Sequence, residues 1–158
     1  KSLRFSTGVL KPRSATAGGV RGIRLGSGDN LIGVVTLADP ERFVFVISKK
    51  GYGKMSKPEL YMSHGRGTNG QKTFNTSLSR TGLLNGLAMV TRDQEVILVS
   101  RKGIVIRTTL KQVPVQGKVT GGVRVMRLDS DDEVAAIAPF EDSEKLEPEK
   151  DPPKKKKK

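Results

Sequence analysis

The sequence contains no cysteine, no tryptophan and a single histidine, and aromatic residues make up only 4% of the chain. The absence of cysteine excludes disulfide bonds, cysteine nucleophiles and cysteine-based zinc sites. The lone His64 cannot form a histidine-rich metal site, and the scarcity of aromatic residues disfavours modules that bind single-stranded nucleic acid by stacking. No apolar run approaches the roughly 18 residues of a membrane span, and no signal peptide opens the sequence. We therefore expect a soluble intracellular protein.

Acidic residues are also scarce by comparison with basic ones. The 158 residues include 29 lysines and arginines against 16 acidic residues, a net charge of +13. Residues 141–158 hold six acids and seven lysines, so the remaining body keeps 22 basic and 10 acidic groups. A surplus of this size on a small body predicts a polyanionic partner, nucleic acid before membrane. The alternative is a solvated basic surface without a partner.

No group of residues has the spacing of a catalytic or cofactor site. His64 lies in a glycine-rich stretch, 63–67, and has no cysteine to activate. The acids of 131–133 share one turn without a second liganding group nearby, and the stretch 26–29 predicts a turn with no following helix to bind phosphate. The sequence thus predicts no catalytic, cofactor-binding or metal-binding residue in this chain.

What the sequence does contain is an internal repeat. Two apolar runs each end in a basic turn and a glycine, and these glycines, Gly51 and Gly103, are 52 residues apart. A second motif, a glycine pair followed by Val-Arg or a weaker variant, places Gly19, Gly70 and Gly122 at steps of 51 and 52 residues. Two independent motifs that keep one step indicate a true repeat.

Each period predicts four short β-strands, and no stretch predicts a helix. The chain opens in the middle of a repeat, on the end of a fourth strand at 1–5. The runs at 43–48 and 95–100 are continuously apolar, which is typical of strands covered on both faces. The predicted strands are 20–25, 31–37, 43–48 and 52–56 in one period, 71–76, 84–91, 95–100 and 104–109 in the next, and 123–128 and 134–138 in a last half-period.

Radially repeated four-stranded sheets are the simplest architecture for such a pattern. We therefore predict an all-β, propeller-like domain over residues 1–140, with about two full blades and two partial ones. Residues 141–158 are rich in Glu, Pro and Lys and lack an apolar pattern, so they are predicted to form a disordered tail.

Long polar connectors, 57–69 and 110–121, lie between each fourth strand and the next first strand. Basic residues recur at matching places in the units, and if the connectors share one rim these bases form a curved stripe. Such a stripe would bind the phosphates of duplex DNA without reading bases. The candidate DNA-binding residues are Arg4, Lys54 and Arg107 on the fourth strands, and Arg13, Arg66 and Lys118 in the connectors. A further set either joins the stripe or pairs with the acidic turns at Asp29 and 129–133; it consists of Arg21, Arg24, Arg124 and Arg127.

The motifs at 18–25, 51–56, 102–108 and 121–128 together resemble the repeats of the C-terminal domain of the DNA gyrase A subunit, and topoisomerase IV carries related repeats. The resemblance covers about residues 1–140. It implies a β-pinwheel, a propeller-like disc whose blades exchange strands and whose basic rim bends DNA. A gyrase first blade carries a Gln-Arg-Arg-Gly-Gly-Lys-Gly box. Here the corresponding stretch, 64–70, matches only at Arg66, Gly67 and Gly70, so this connector is similar to that of a later blade.

The resemblance also implies a function. The chain would be a non-catalytic, DNA-binding and DNA-wrapping segment of a type IIA topoisomerase A subunit, supporting ATP-dependent negative supercoiling by the holoenzyme. ATP and Mg would belong only to that holoenzyme. The implied partners are double-stranded DNA, the ATPase B subunit, and the rest of the A subunit, with no membrane. The implied location is the cytoplasm, at the bacterial nucleoid, or an organelle. The catalytic tyrosine of the family has no counterpart, because Tyr52 and Tyr61 lie inside the repeats.

Three alternatives stay open on the sequence. The first is the C-terminal domain of the topoisomerase IV A subunit. The second is a protein-interaction propeller of the kelch or WD type, which fits a period near 52 but not the absence of tryptophan or the basic charge. The third is an RNA-binding repeat protein, which shares the charge but not the repeat motifs.

Overall fold

The computed structural model describes residues 1–140, so the predicted tail at 141–158 lies outside the described residues. The described chain is all-β, as predicted, with three short 3-10 turns at Thr7–Val9, Pro58–Leu60 and Leu110–Gln112. None of its helical segments is long and apolar enough to cross a membrane. The strands are β1 (Phe43–Ser48), β2 (Tyr52–Ser56), β3 (Leu84–Val90), β4 (Glu95–Ser100), β5 (Val105–Thr109), β6 (Val123–Arg124) and β7 (Val134–Phe140).

The described strands form two antiparallel sheets. The first has the order β3-β1-β2-β6 and the second the order β5-β4-β7. Each sheet contains a hairpin whose turn includes a left-handed glycine, Gly51 in the first and Gly103 in the second. The basic turns identified in the sequence are therefore hairpin turns, because glycine adopts a positive φ at little steric cost. The two sheets meet where β3 packs beside β7.

The strands of one sheet come from three consecutive periods. The hairpin of β1 and β2 belongs to one period, β3 to the next, and β6 to the one after. The turn at Lys49–Gly51 is short, so β1 and β2 pair with each other. The long connectors 57–69 and 110–121 follow the hairpin and allow β3 and β6, from later periods, to pair on its two sides. This confirms the strand exchange that the resemblance implies. It also means that a sequence period and a sheet are different units.

Several predicted strands are absent or shortened in the described chain. The stretches 20–25, 31–37 and 71–76 form no regular strand, and the predicted strand at 123–128 is reduced to two residues. Under strand exchange, a segment at the place of 31–37 pairs with a third strand one period earlier, and no residue in 1–140 supplies that partner. The stretch instead runs beside β3, where a Cβ at Gly33 would lie 2.7 Å from the Leu87 side chain.

The core lies on both faces of β1. Phe45 and Ile47 are buried in a cluster with residues of the second sheet, and Val44 and Val46 are buried in another with Tyr61 and Phe74. The prediction that the third strands are covered on both faces is thus confirmed for β1. It is wrong for β4, in which only alternate residues are fully buried. The second face of β4 has no comparable layer among the described residues.

Candidate functional site

The two polar connectors have the same construction. Each follows a hairpin, begins with a 3-10 turn and then runs back beside the fourth strand one period earlier. Parallel bridges fix this path: Arg4 pairs with Ser63, and Met55 pairs with Val115. The Met55 N–H donates to Pro114 O (3.2 Å), and its carbonyl accepts from Gln116 N–H (2.8 Å). Each connector is therefore held by the strand of the preceding period.

Lys54 is buried, in contrast to the prediction that it contacts DNA. Its Nζ donates to the carbonyl oxygens of Gly117 (2.7 Å) and Lys118 (2.6 Å), and lies 5.6 Å from the centroid of the Phe74 ring. The side chain is 0% exposed, and burial lowers its pKa to about 8. An ammonium enclosed in this way holds the second connector and does not face a phosphate.

Lys54 is not the structural counterpart of Arg107, and both faces of its strand are covered. Lys54 pairs with Val46 across the first hairpin, and the matching residue of the second hairpin is Ile106, opposite Leu98. Arg107 is one place further along its strand. Successive side chains on a strand point to opposite faces, so Lys54 and Arg107 face different sides of their sheets.

Arg4 and Arg107 occupy matching places, but their guanidinium groups are already engaged. Arg4 is half-buried and donates to the carbonyl oxygens of Pro58 (3.2 Å) and Tyr61 (3.1 Å), so it holds the first connector as Lys54 holds the second. Arg107 is exposed, forms a salt bridge with Glu95 and lies 3.9 Å from the centroid of the Phe140 ring. Neither side chain is an unpartnered cation.

The three predicted connector bases differ in their surroundings. Arg13 is exposed and has no hydrogen bond or ion pair with any described residue. Arg66 is exposed and donates one hydrogen bond, from Nη1 to Arg21 O (2.7 Å). Lys118 is half-buried, donates to Gln71 and lies 6.0 Å from the centroid of the Tyr61 ring. All three lack a carboxylate partner among residues 1–140.

The fold thus brings together only part of the predicted set. Arg4 and Lys118 meet at Tyr61, whose carbonyl oxygen accepts a hydrogen bond from Arg4 and whose ring lies under Lys118, and Lys54 is linked to them through its bond to Lys118 O. Arg66 lies on the same connector as Tyr61 but contacts the 21–22 stretch. No described contact joins Arg13 or Arg107 to this group.

Three acidic residues, Asp131, Asp132 and Glu133, contact the turns of the two hairpins. Glu133 forms salt bridges with Lys49 (3.2 Å) and Arg101 (3.7 Å), and Asp131 pairs with Lys102 at 2.5 Å. Asp132 Oδ1 accepts the backbone N–H groups of Lys102 and Glu133, so it caps the turn. The alternative pairing of Arg21, Arg24, Arg124 and Arg127 with acidic turns is not observed among residues 1–140. In the connectors, Lys111 pairs with Asp93 (3.4 Å), whereas Arg66 and Lys118 have no carboxylate partner among residues 1–140.

A second basic group surrounds Tyr52 at the edge of the first sheet. The guanidinium groups of Arg80 and Arg124 lie 5.5 and 5.3 Å from the centroid of the tyrosine ring, and Arg124 Nη2 donates to the hydroxyl (2.9 Å). The Arg124 hydrogen bond, together with the nearby positive charges, lowers the pKa of Tyr52. Lys50 donates to Ser79 O (2.8 Å) beside this group. We call Lys50, Tyr52, Arg80 and Arg124 the Tyr52 cluster.

Sequence reasoning missed this cluster as a unit. Arg124 could be identified from the sequence, because it belongs to the repeated glycine-pair motif. Arg80 could not, since it stands in a serine-rich turn that follows no repeat pattern. The meeting of Tyr52 with Arg124 depends on the pairing of β2 with β6, 72 residues apart in the chain, which the period alone does not reveal.

Comparison with known proteins gives a consistent result. The family model described as "DNA gyrase C-terminal domain, beta-propeller" matches residues 1–38, 42–83 and 94–141. The DNA gyrase A subunit of Staphylococcus epidermidis is 34% identical over 137 residues, which cover 86% of this chain and 15% of that protein. The DNA gyrase A subunit of Staphylococcus aureus is similar to the same extent. The chain thus spans about a seventh of the length of these relatives.

Two solved structures resemble the fold. The structure of a DNA gyrase A C-terminal domain aligns with a TM-score of 0.71 and 29% identity, over 77% of this chain and 41% of that one. The C-terminal domain of a DNA topoisomerase IV aligns with a TM-score of 0.72 and 15% identity, over 78% of this chain and 38% of that one. The second likeness concerns the fold alone.

Proposed function

Because this chain belongs to the family of the DNA gyrase A C-terminal domain, we propose that it is a non-catalytic segment that binds and bends duplex DNA. In this proposal it serves a type IIA topoisomerase A subunit whose holoenzyme, with an ATPase B subunit, introduces negative supercoils at the expense of ATP. Family membership supports the parent enzyme, and the basic surface supports the DNA partner.

The observation that carries the proposal is that some basic side chains have carboxylate partners and others do not. Glu133 and Asp131 pair with basic side chains of the hairpin turns, and Asp93 pairs with Lys111 of the second connector, whereas Arg13, Arg66 and Lys118 have no carboxylate partner in residues 1–140. Unpaired cations on repeated loops suit a partner with regularly spaced phosphates, since neutralising each phosphate releases a counterion. The contacts are to the DNA backbone, because the connectors present no set of side chains arranged to read base edges.

We propose Arg13, Arg66 and Lys118 as phosphate contacts, and we add the Tyr52 cluster, above all Arg80 and Arg124. Arg4 and Lys54 contribute by holding the connectors in shape. Arg107 is a weaker candidate, because binding a phosphate would require it to leave Glu95.

The test is duplex binding as a function of salt, measured by fluorescence anisotropy on a duplex of about 40 base pairs. With about five phosphate contacts, log affinity should fall with log salt with a slope of about −4 to −5. Replacing Arg66 or Arg124 by alanine should reduce that slope by about 1 each. Lys102→Ala is the matched control: it also removes one exposed base, but one that pairs with Asp131.

Two results would refute the proposal. One is a slope near zero, and the other is tighter binding of single strands than of the duplex. If Arg66→Ala and Lys102→Ala reduced the salt slope equally, the chain would still bind DNA, but the phosphate contacts could not be assigned to the connectors. Supercoiling itself requires the full A and B subunits, with plasmid topology compared in the presence and absence of ATP.

A further inference from the structure

The loop 75–83 has a counterpart one period later that differs from it in charge. Both loops pack on the preceding hairpin turn in the same way, since Lys49 N–H donates to Leu83 O and Arg101 N–H donates to Glu133 O, each at 2.8 Å. The later loop is rich in acids, and two of its carboxylates pair with the bases of that turn. The loop 75–83 contains no acidic residue and carries an arginine. Of two equivalent loops, one is therefore basic and the other acidic.

Hydrogen bonds fix the conformation of the loop 75–83 at its tip. Thr81 N–H and Gly82 N–H both donate to Ser77 O (2.8 and 2.9 Å), and the hydroxyl of the buried Thr81 accepts from Ser77 N–H (2.9 Å). Lys50 N–H donates to Thr81 O (3.3 Å), which holds the loop against the hairpin turn. The tip at 78–80 thus projects from a closed turn.

The loop has neighbours on both sides among the described residues. On one side it packs on the hairpin turn of the preceding period. On the other side Asn75 N–H donates to Thr120 O (3.1 Å), and a Cβ at Gly121 would lie 3.5 Å from Asn75 O. The tip is therefore exposed on the surface between two packed units.

Leu78 lies at this tip and is 72% exposed. An exposed leucine is by itself ordinary on a protein surface. This one is held on a closed turn, two residues from Arg80, whose guanidinium lies over the Tyr52 ring beside that of Arg124. Lys50, Arg80 and Arg124 have no carboxylate partner in the part of the chain that the structure describes. Apolar wedge residues together with arginines and lysines are what many DNA-bending proteins place in the minor groove.

We propose that the loop tip 78–80 enters the minor groove of the bound duplex, and that Leu78 wedges between two adjacent base pairs and kinks the DNA. Arg80 and Arg124 bind phosphates at the edge of the groove. This inference rests on the proposed binding of duplex DNA and adds to it a contact with the stacked bases. The wedge reads no base edge, but it favours steps that unstack easily, above all pyrimidine–purine steps such as TA.

The acidic counterpart loop does not make this contact. The side chain of Asp131 at its tip is 70% exposed, and a carboxylate there repels the phosphates that border the groove. The kink therefore belongs to the loop 75–83 and is not repeated by the loop one period later. A kink at one loop is distinct from a smooth bend to which every unit contributes equally.

The test uses the full 158-residue chain and a short duplex that reports unstacking. The duplex has about 20 base pairs and one central TA step, the kind of step that deforms most easily. The adenine of that step is replaced by 2-aminopurine, whose fluorescence rises when the base loses its stacked neighbour. We expect the fluorescence to rise at saturating protein, and to rise less when 2-aminopurine is placed away from the TA step.

Variants of the loop separate the wedge from the phosphate contacts. Leu78→Ala should lose the fluorescence rise, because alanine is too short to reach between base pairs, whereas Leu78→Met keeps a long apolar side chain and should retain the rise. The salt slope of Leu78→Ala should be unchanged, since no phosphate contact is removed. Arg80→Ala should show the opposite result, with a slope reduced by about 1 and the rise retained at saturation.

Leu83→Ala is the matched control. It removes the same side chain from the base of the loop, where Leu83 is 53% exposed, and it should retain both the fluorescence rise and the salt slope.

The outcomes distinguish this inference from the proposed function. If the unaltered chain does not bind the duplex, the proposed function fails and the wedge fails with it. If it binds the duplex without a fluorescence rise, or with the same rise in Leu78→Ala, the wedge is refuted and the proposed DNA binding stands. Equal loss of the rise in Leu83→Ala and Leu78→Ala would also refute the wedge, because the effect would then come from the loop as a whole.

Discussion

β2 and β5 occupy the same place in successive periods, yet one is buried and the other exposed. β2 lies between β1 and β6, and four of its five residues are buried, whereas β5 has β4 on one side only and no fully buried residue. The hydrophobicity of the two sequences does not explain this difference, because the exposed strand β5 (Val-Ile-Arg-Thr-Thr) is at least as apolar as the buried strand β2 (Tyr-Gly-Lys-Met-Ser). Burial in this fold is therefore decided by the strand and connector that dock on an edge. It is not decided by the edge strand itself.

The largest expected effect comes from removing the docked strand from the first sheet. Gly51→Ala puts a Cβ on a residue with φ 77°, 2.2 Å from Met126 O, whereas Gly103→Ala puts one in open space at φ 85°. We expect a loss of about 3 kcal/mol or more in the free energy of unfolding for Gly51→Ala, and of about 1 kcal/mol for Gly103→Ala. Urea unfolding measures both. Equal losses would mean that the contact with β6 does not stabilise the sheet.

The next effect concerns Lys54 and its counterpart Ile106, and it depends on pH. Because burial lowers the pKa of Lys54 from 10.5 to about 8, the unfolded chain holds this proton more tightly than the folded chain between those pH values. The free energy of unfolding should therefore rise with pH across that window, by about 1.4 kcal/mol for each unit of pKa difference. Lys54→Met should lack the rise, and Ile106→Met should retain it.

The same pair of variants tests the connector. Lys54→Met leaves the carbonyl oxygens of Gly117 and Lys118 without their donor, so hydrogen exchange in 110–121 should become faster. Ile106→Met should not change it. Unchanged exchange in Lys54→Met would show that the parallel bridge at Met55 suffices to hold the connector.

The smallest effect is electrostatic and reports on strand docking at Tyr52. Arg124 lies on β6 and lowers the pKa of Tyr52, so Arg124→Ala should raise that pKa towards its ordinary value. Absorbance at high pH, taken as a difference from Tyr52→Phe, measures the shift. Ile104→Tyr places a tyrosine at the same position of the second hairpin, where no β6 equivalent docks among residues 1–140, and it should titrate normally. A lowered pKa there would show that the hairpin alone produces the effect.

Much of the fold followed from local features of the sequence. The hairpins were predictable because the turn glycines and the apolar runs lie within one period. The flanking strands were not predictable. β6 pairs with β2 from two periods away, and no local sequence feature indicates that register. The stretch 20–37 has strand-like composition but forms no regular strand, and Gly22 and Arg24 bond to the first connector instead.

The candidate site was predictable in kind and less so in detail. Charge and repeat spacing identified a basic connector surface, and Arg13, Arg66 and Lys118 lie there without carboxylate partners among residues 1–140. Lys54 was misplaced because both faces of β2 are covered: Met55, the counterpart of the exposed Arg107, is buried as well. Arg80 was missed, since only the packing of its turn against the first hairpin brings it to Tyr52.

The sequence by itself determined the repeat, the hairpins and the net positive charge, because each follows directly from residue types and their spacing along the chain. Only the tertiary structure decided which edges are covered and which cations are exposed. Those outcomes depend on contacts between residues about 70 positions apart. The pairing of β6 with β2, for example, helps to bury a strand whose sequence is largely polar.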